Sequence, residues 1–365
     1  MPSKKAIGWV VGTALVLGAG GFVLAKYNTN SMAHVMYEKI TGQHAQAEVS
    51  SKTEQRQVES TENKTEIKST KQNSDQLTKL LKQENFKGSY AVMKNGKIAT
   101  TDSMRKGTAD KYYQVADLEN MLTAAAILKL VDEGKLSLST PISKYYSTLD
   151  STDTITVSSL LKMTSGLSNN ATPSSQLTNV LSWNISNAQS GTNGVYNYEE
   201  INYVLLEGII SQVTGGTYQA YIKKAFLEPY DLDQVKFVSS VSDSKLATPY
   251  NGSSKVSQTT LGQEMNAQMG RNQVMATPAG FLKLTKILVQ KYGDQTSFTA
   301  TTVTNFTGQL IKSDDMFYGS GGIVGYRASV AISKDGKTGI MLMSNHSNGK
   351  DNLTQLVKNC YTKLN

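Results

Sequence analysis

The sequence predicts an α+β fold in which an antiparallel sheet is flanked by helices and joined to a helical subdomain. Strand patterns lie at both ends of the main domain, and helical and loop-rich sequence fills its middle. Strands from both ends with helices between them indicate one sheet built from the two termini. One transmembrane helix and a polar stalk are predicted ahead of this domain.

Local signals mark the first strands and the first helix of the domain. Ser89–Met93 and Lys97–Thr101 flank Asn95-Gly96, a dipeptide typical of hairpin turns. A helix is predicted over Leu118–Glu133, because apolar residues recur there at three- and four-residue spacing and Gly134 follows as a cap. One face of this helix is therefore expected to be buried.

The C-terminal end of the chain repeats the strand pattern. Arg327–Ser333 and Gly339–Ser344 are predicted strands on either side of Asp335-Gly336, which is a turn signal. A last helix is predicted over Asn352–Lys363. These strands are the expected partners of the first hairpin.

An uncharged stretch near the N-terminus predicts a membrane anchor. Lys4 and Lys5 precede Ala6–Ala25, about 20 residues, enough for a helix to cross a bilayer. The positive flank is expected to stay in the cytoplasm, so residues 1–5 form a cytoplasmic tail and the rest is exported. Cleavage of a signal peptide near Ala25, which would leave a secreted protein, is the alternative.

A polar stalk, residues 26–85, is predicted between the anchor and the domain at 86–365. From His44 to Glu84 the sequence has no aromatic residue, no Gly and no Pro. Such a segment buries too little apolar surface to offset its chain entropy. Some helix is expected near Leu77–Leu81.

Composition excludes several classes of site. One Cys, Cys360, and three His in 365 residues exclude an internal disulfide framework and cysteine-rich zinc sites. Only His346 belongs to the main domain, and a loop role is favoured for it. The net charge of +8 indicates anionic surroundings, but no run of basic and aromatic residues resembles a nucleic-acid module. No cofactor and no nucleic-acid partner are expected.

Five blocks resemble one family. In order, they match the serine beta-lactamase and penicillin-binding-protein superfamily, and within it the branch of class C beta-lactamases, D-Ala-D-Ala carboxypeptidases and esterases. The blocks are Thr123–Tyr146, Ile155–Leu167, Tyr196–Ile222, Met275–Leu284 and Tyr318–Ile332. The resemblance implies the beta-lactamase/transpeptidase-like fold, with the active site between the sheet and the helical subdomain.

The family's catalytic residues are replaced at most matching positions. Its Ser-x-x-Lys motif, in which the serine attacks a carbonyl and the lysine helps remove its proton, falls on Asp117 and Asn120. Its Tyr-x-Asn motif falls on Tyr198 and Glu200. Of these four positions, only Tyr198 keeps the family's residue type.

The family's third motif, His-x-Gly or Lys-Thr-Gly, also lacks its basic residue. Alignment without a gap places it on Gly319-Ser320-Gly321, and a one-residue gap shifts it to Ser320-Gly321-Gly322. The histidine or lysine position is therefore Gly319 or Ser320. The resemblance implies a ligand pocket formed by Asp117, Tyr198, Glu200, Ser320, Gly321 and Gly322.

Three other segments imitate the family's motifs. Ser159–Lys162 and Ser242–Lys245 both spell Ser-x-x-Lys, but the first lies in a later helical segment and the second in a polar loop. Lys337-Thr-Gly339 spells the third motif and is interpreted as part of a turn.

The substitutions predict a protein that penicillin does not acylate in the ordinary way. A carboxylate is a weak acyl-transfer nucleophile, and Asn120 cannot accept a proton as a neutral lysine amine does. Asp117 and Glu200 also place negative charge where the family stabilises a developing oxyanion. Two carboxylates alone make a weak metal site, so no metal is expected.

Two functions remain open. The first is a membrane-anchored, extracellular protein without catalysis that binds a ligand or partner in the cell envelope, with peptidoglycan, teichoic acid or an envelope protein as its partner. The second is an active hydrolase of the D-Ala carboxypeptidase or D-alanyl esterase type that uses non-standard residues such as Tyr198 with a carboxylate. Anionic wall polymers of a Gram-positive cell would match the charge of +8.

Overall fold

The computed structural model describes residues 75–104, 109–149, 153–171, 179–257, 273–295, 310–347 and 352–364. All of them belong to one compact unit, Gln72–Asn365. The predicted cytoplasmic tail, transmembrane segment 6–25 and most of the stalk lie outside the described residues. Within the described ranges, no helix is long and apolar enough to cross a membrane.

The described residues form fourteen strands and eight α-helices, with runs of consecutive strands near both ends of the domain. The strands are β1 (Gly88–Lys94), β2 (Lys97–Ser103), β3 (Tyr113–Gln114), β4 (Leu167–Ser168), β5 (Gln189–Ser190), β6 (Val235–Phe237), β7 (Tyr250–Asn251), β8 (Ser254–Lys255), β9 (Val274–Ala276), β10 (Ile311–Lys312), β11 (Met316–Ile323), β12 (Tyr326–Ser333), β13 (Gly339–Ser344) and β14 (His346–Ser347). The helices are α1 (75–83), α2 (Asn120–Asp132), α3 (Val157–Leu161), α4 (Val180–Ser186), α5 (Ile201–Thr214), α6 (Tyr218–Ile222), α7 (Pro278–Tyr292) and α8 (Leu353–Thr362). Short 3₁₀ turns lie at Ala116–Glu119, Ile142–Lys144, Glu228–Tyr230, Val238–Ser240 and Asp243–Lys245, and a π-helical turn at Lys223–Leu227.

A six-stranded antiparallel sheet joins the two ends of the domain, as predicted. Its strand order is β10-β11-β12-β13-β1-β2. β1 pairs with β13 in a register that places Gly88 opposite Ser344. The β1–β2 turn has Asn95 at φ 50° and Gly96 at φ 72°, the left-handed backbone that Asn-Gly adopts at low steric cost.

The sheet separates two apolar clusters. The inner cluster joins one face of the sheet to α2, α5 and α7, and it includes Tyr326, Ala328 and Val330 of β12. The outer cluster joins the opposite face to α1 and α8, and it includes Ala331 of the same strand. Because side chains alternate along a strand, each residue of β12 can be assigned to one face.

The folded domain begins before the predicted boundary at residue 86. Helix α1 places Leu77 and Leu81, which are 2% and 0% exposed, in the outer cluster. Leucines four residues apart share one helix face, and Leu80 packs partly buried against the same cluster. Three leucines therefore bury this short helix although its other residues are polar. Within residues 75–83, the polar residues that led to the prediction of a stalk form the exposed face of α1.

Helix α2 is the centre of the inner cluster. Its residues from Asn120 to Leu128 are all buried, so the expectation of one buried face was too narrow. A helix enclosed on all sides is held by packing rather than by an amphipathic stripe. The 3₁₀ turn Ala116–Glu119 leads into α2 and carries Asp117 to the sheet.

Candidate functional site

The turn before α2 holds Asp117 in a constrained conformation. Ala116 has φ +52°, a left-handed value that a residue with a Cβ rarely adopts. Its N–H donates a hydrogen bond to the side-chain oxygen of Gln114. Strained backbone of this kind concentrates at functional sites, where the surrounding structure holds it in place.

The Asp117 carboxylate is held from two sides. The Tyr198 hydroxyl donates to Oδ1 over 3.0 Å, and the Gly322 N–H lies 3.4 Å from Oδ2. Asp117 is half-buried, and Tyr198 is 39% exposed. The structure therefore brings together three predicted site residues where β11 meets the turn before α2.

Strand β11 approaches the Asp117 turn at Gly321. A Cβ on Gly321 would lie 2.6 Å from the Asp117 nitrogen and 2.9 Å from the Leu118 nitrogen. Only glycine permits this approach without movement of the backbone. At Gly322 the nearest atom would be 3.8 Å away. The close approach fits the ungapped alignment, in which Gly321 is the motif glycine and buried Gly319 takes the basic position.

Two other predicted ligand-binding residues are placed differently. The Ser320 hydroxyl lies 2.6 Å from Thr354 Oγ1 and so joins β11 to α8. Glu200 is exposed and directly precedes α5, where its carbonyl accepts from Tyr203 and Val204. Ser320 thus has a structural partner, and Glu200 is a solvent-facing residue at a helix start.

Asn120 is enclosed beneath Asp117. Its side chain is 0% exposed, and neither amide atom has a hydrogen-bond partner within the described part of the chain. A buried amide without partners costs about 1–3 kcal/mol. By the resemblance, Asn120 takes the position of the family's lysine. Its amide does not accept a proton as a neutral amine does, and it forms no hydrogen bond among the described residues.

Glu119 lies behind the cleft and not in it. Its side chain is fully buried, so it adds no exposed carboxylate beside Asp117. Its Oε2 accepts the N–H groups of Gln273 and Val274 over 2.6 and 2.9 Å, which ties the start of α2 to β9. A buried carboxylate is retained when backbone donors satisfy it.

Sequence reasoning missed a second buried carboxylate, Glu207 in α5, which is 1% exposed. Burial, and then the charge of Glu119, raise the pKa of Glu207 well above its usual value. Burial and the same carboxylates raise the pKa of Tyr218, whose hydroxyl lies 2.8 Å from Thr123 Oγ1. A lone Glu inside the apolar run VLLEGII was the signal for this buried polar group.

Two of the segments that imitate catalytic motifs, and His346, have structural roles. Ser159 forms a capping box with Thr156 at the start of α3. Lys337 donates its N–H to Asp335 in the turn between β12 and β13. His346 stacks on Tyr250 with ring centroids 4.7 Å apart. Among the described residues, no group of three or more His, Cys, Asp or Glu could hold a metal ion.

Comparison with known proteins identifies the family. Residues 74–357 match the family model described as Beta-lactamase. The chain belongs to the Beta-lactamase family. This family includes serine beta-lactamases and penicillin-binding-protein relatives, as the resemblance predicted.

Curated relatives of this Beta-lactamase family member are distant in sequence. PbpX of Bacillus subtilis (strain 168), a candidate penicillin-binding protein, is 25% identical over 312 residues, which cover 80% of this chain and 78% of the relative. Protein flp of Staphylococcus aureus (strain N315) is 28% identical over 202 residues. That match covers 48% of this chain, which spans less than half, 41%, of protein flp.

Solved structures share the Beta-lactamase fold. FmtA from Staphylococcus aureus superposes with a TM-score of 0.69 and 20% identity, covering 81% of this chain and 87% of FmtA. A D-amino acid amidase from Ochrobactrum anthropi SV3 gives a TM-score of 0.64 and 16% identity, covering 80% of this chain and 96% of the amidase. At these identities the likeness establishes the fold alone.

Proposed function

We propose that this Beta-lactamase family protein binds a ligand in the cleft of Asp117 and Tyr198 and does not form an acyl-enzyme there. The observation that carries the proposal is the position of the Asp117 carboxylate. By the resemblance, Asp117 takes the position of the family's serine, and its Oδ2 lies 3.4 Å from the Gly322 nitrogen. In the family, a backbone N–H in this position would stabilise an oxyanion of the substrate, and here it faces a carboxylate of the protein itself.

The cleft chemistry favours a ligand with a cationic group. Asp117 supplies a carboxylate that is partly open to solvent, and Tyr198 supplies an aromatic ring and a hydroxyl beside it. An ammonium group gains a charge-assisted hydrogen bond from such a carboxylate. A D-alanyl ester or an amino sugar carries this group. The amidase that shares the fold is named for D-amino acids, which have the same ammonium group.

Fluorescent penicillin labelling and D-alanyl ester hydrolysis test the proposal on the purified chain. We expect no saturable labelling and no turnover, because nucleophile and base are both replaced; loss of such a pair costs on the order of 10⁶ in turnover in other serine hydrolases. The double variant Asp117→Ser with Asn120→Lys is expected to gain labelling, with Glu200→Asn and Gly319→His added if needed.

A single Asp117→Ser variant is the matched control, since a serine without its base should stay unlabelled. Saturable labelling of the unchanged chain that is lost on Asp117 substitution but survives Tyr198→Phe would overturn the proposal.

The second candidate function is a hydrolase that uses Tyr198 with a carboxylate. The 3.0 Å bond between the Tyr198 hydroxyl and Asp117 favours it, because a carboxylate in contact can take the proton of an attacking hydroxyl. D-alanyl ester turnover that is lost in Tyr198→Phe and in Asp117→Asn would establish this alternative and exclude the binding-only function.

We also propose a location for the domain. Residues 6–25 would anchor the chain in the membrane with the domain outside the cell, next to peptidoglycan, teichoic acid or an envelope protein. The uncharged length and the preceding lysines support this proposal. Membrane fractions should retain the chain after alkaline carbonate washing, and external protease should reach the domain. Release with a new N-terminus after Ala25 would instead establish the secreted form.

A further inference from the structure

A cavity of about 780 Å³ lies on the face of the six-stranded sheet opposite Asp117, and we call it the outer-face cavity. Arg327 lines it, and its neighbours Tyr326 and Ala328 belong to the inner cluster. Side chains alternate along β12, so Arg327 points to the outer face. Phe86 of the outer cluster also lines the cavity. The volume is within the range of about 300–1,000 Å³ typical of small-molecule sites.

One wall of the outer-face cavity is aromatic. Tyr250 and His346 both line it, and their rings stack at 4.7 Å between centroids and 13° between planes. The parallel pairing of β7 with β14 places these two residues side by side. Both residues are half-buried, and both lie on these paired strands. Flat aromatic surfaces with apolar neighbours are common in ligand sites.

Carboxamide side chains also line the cavity. Asn352, Gln355 and Asn359 lie at the start of α8 and along it, and Asn85 lies in the segment before β1. Gln355 Nε2 donates to Asn359 Oδ1 over 2.8 Å. This bond uses one donor and one acceptor, so Gln355 Oε1 and Asn359 Nδ2 still have bonding capacity for a ligand. Paired donors and acceptors of this kind suit the hydroxyl groups of a sugar or polyol.

The charges on the cavity wall favour an anion. Among the described residues that line it, Arg327 and Lys87 are cationic and Glu84 is the one carboxylate. A guanidinium matches phosphate and carboxylate groups through two parallel hydrogen bonds. Arg327 is half-buried, where a charged interaction is screened less than on an exposed surface.

We propose that the outer-face cavity binds a sugar or polyol that carries one phosphate or carboxylate group. Arg327 and Lys87 bind the anionic group, the α8 carboxamides bind hydroxyls, and the Tyr250–His346 pair covers the apolar side of the ring. The site lies on the other side of the sheet from the Asp117 cleft and functions independently of it.

Calorimetric titration of the full chain at low salt tests this proposal. The probes are glucose 6-phosphate, glucuronate and uncharged glucose. At least one anionic probe is expected to bind with a millimolar or lower Kd, and glucose at least about tenfold more weakly. The stronger of the two anionic probes identifies the anionic group as phosphate or carboxylate.

Variants assign binding to the cavity. Arg327→Met is expected to weaken the anionic probe about tenfold, and Lys87→Met, at an exposed site that tolerates change, about threefold. Lys337→Met in the β12–β13 turn is the matched control, because Lys337 lies outside the cavity, and it should bind as the parent does. Asp117→Ala should also bind as the parent.

The proposal would be overturned by no binding of any probe at tens of millimolar, by equal binding of glucose and the anionic probes, or by parent-like affinity in both Arg327→Met and Lys87→Met. Loss of affinity for the anionic probe in Asp117→Ala would assign the probe to the Asp117 cleft and would also overturn the proposal.

Discussion

The Tyr198 hydroxyl donates a hydrogen bond to the Asp117 carboxylate over 3.0 Å, although the two residues are 81 positions apart. The same carboxylate lies 3.4 Å from the Gly322 N–H. The donors that line the cleft are therefore already directed at an anion that belongs to the protein. A neutral carbonyl compound competes poorly for these donors, whereas a cation can pair with the anion directly.

The first prediction concerns ligand charge. D-alanine methyl ester is expected to bind the cleft, and its N-acetyl derivative, which lacks the ammonium group, at least about tenfold more weakly. Asp117→Asn keeps the size of the side chain and removes its charge, so this preference should disappear in that variant. Calorimetric titration measures the affinity of each ester for the parent chain and for Asp117→Asn.

Tyr198→Phe is the matched variant for that experiment, because it removes one hydroxyl and keeps the carboxylate. It should preserve the preference for the ammonium form. Equal affinity of the parent chain for both esters would contradict an ammonium site at Asp117.

The second prediction concerns the contact between β11 and the Asp117 turn. Gly321→Ala is expected to lower the free energy of unfolding by about 1–3 kcal/mol, because its Cβ would meet backbone nitrogens at 2.6 and 2.9 Å. Backbone atoms of the 3₁₀ turn Ala116–Glu119 cannot move aside without disturbing the buried helix that follows it. Urea denaturation followed by circular dichroism gives the free energy.

Gly322→Ala is the control for this contact, since its Cβ would meet nothing closer than 3.8 Å. Its effect should stay within about 0.5 kcal/mol. Equal destabilisation by the two variants would show that the approach of the strand does not depend on Gly321.

The third prediction concerns the buried amide of Asn120. Asn120→Leu is expected to raise the free energy of unfolding by about 1–2 kcal/mol, because a side chain of similar size replaces an amide with no hydrogen-bond partner among the described residues. Thermal and urea unfolding measure the change.

Asn202→Leu is the matched contrast for Asn120→Leu. Asn202 accepts from Ser165 over 2.6 Å and donates to the Glu199 carbonyl over 2.8 Å, so its loss should destabilise by about 1–3 kcal/mol. Destabilisation of similar size in both variants would mean that the Asn120 amide is satisfied in solution.

Local signals predicted much of the fold. Asn95-Gly96 and Asp335-Gly336 marked the two hairpins, because turn chemistry acts over a few residues. The start of the domain was misplaced because α1 is buried mainly through Leu77 and Leu81, with Leu80 partly buried beside them. Average composition over a window cannot show that two leucines on one face find an apolar partner.

The site was predicted only in part. Resemblance placed Asp117, Tyr198 and Gly322 in one cleft, and their mutual contacts depend on tertiary packing. Ser320 was assigned to the pocket, but strand alternation and the neighbouring helix join its hydroxyl to Thr354. Which face a strand residue takes depends on register, and a one-residue shift reverses it.

The last prediction concerns pH and the buried carboxyl of Glu207. Burial and the Glu119 charge raise its pKa in the folded chain, so the folded state holds this proton more tightly than the unfolded state. The pH-dependent loss of stability from Glu207 is absent below the unfolded pKa of 4.5, and it grows as pH rises toward the pKa of the folded chain. Glu207→Gln removes the ionisation and keeps the shape. We therefore expect the gain in stability of Glu207→Gln over the parent to increase between pH 5 and 8 in urea unfolding.

Glu133→Gln is the control with the opposite sign. Hydrogen bonds from Lys129 and Lys135 lower the pKa of Glu133, so its contribution is present above the unfolded value and is lost as pH falls through the folded one. This variant should differ from the parent at neutral pH and approach it in acid. If the difference between Glu207→Gln and the parent does not change with pH, Glu207 does not hold its proton in the folded chain, and the Glu119–Glu207 pair is not coupled as the structure indicates.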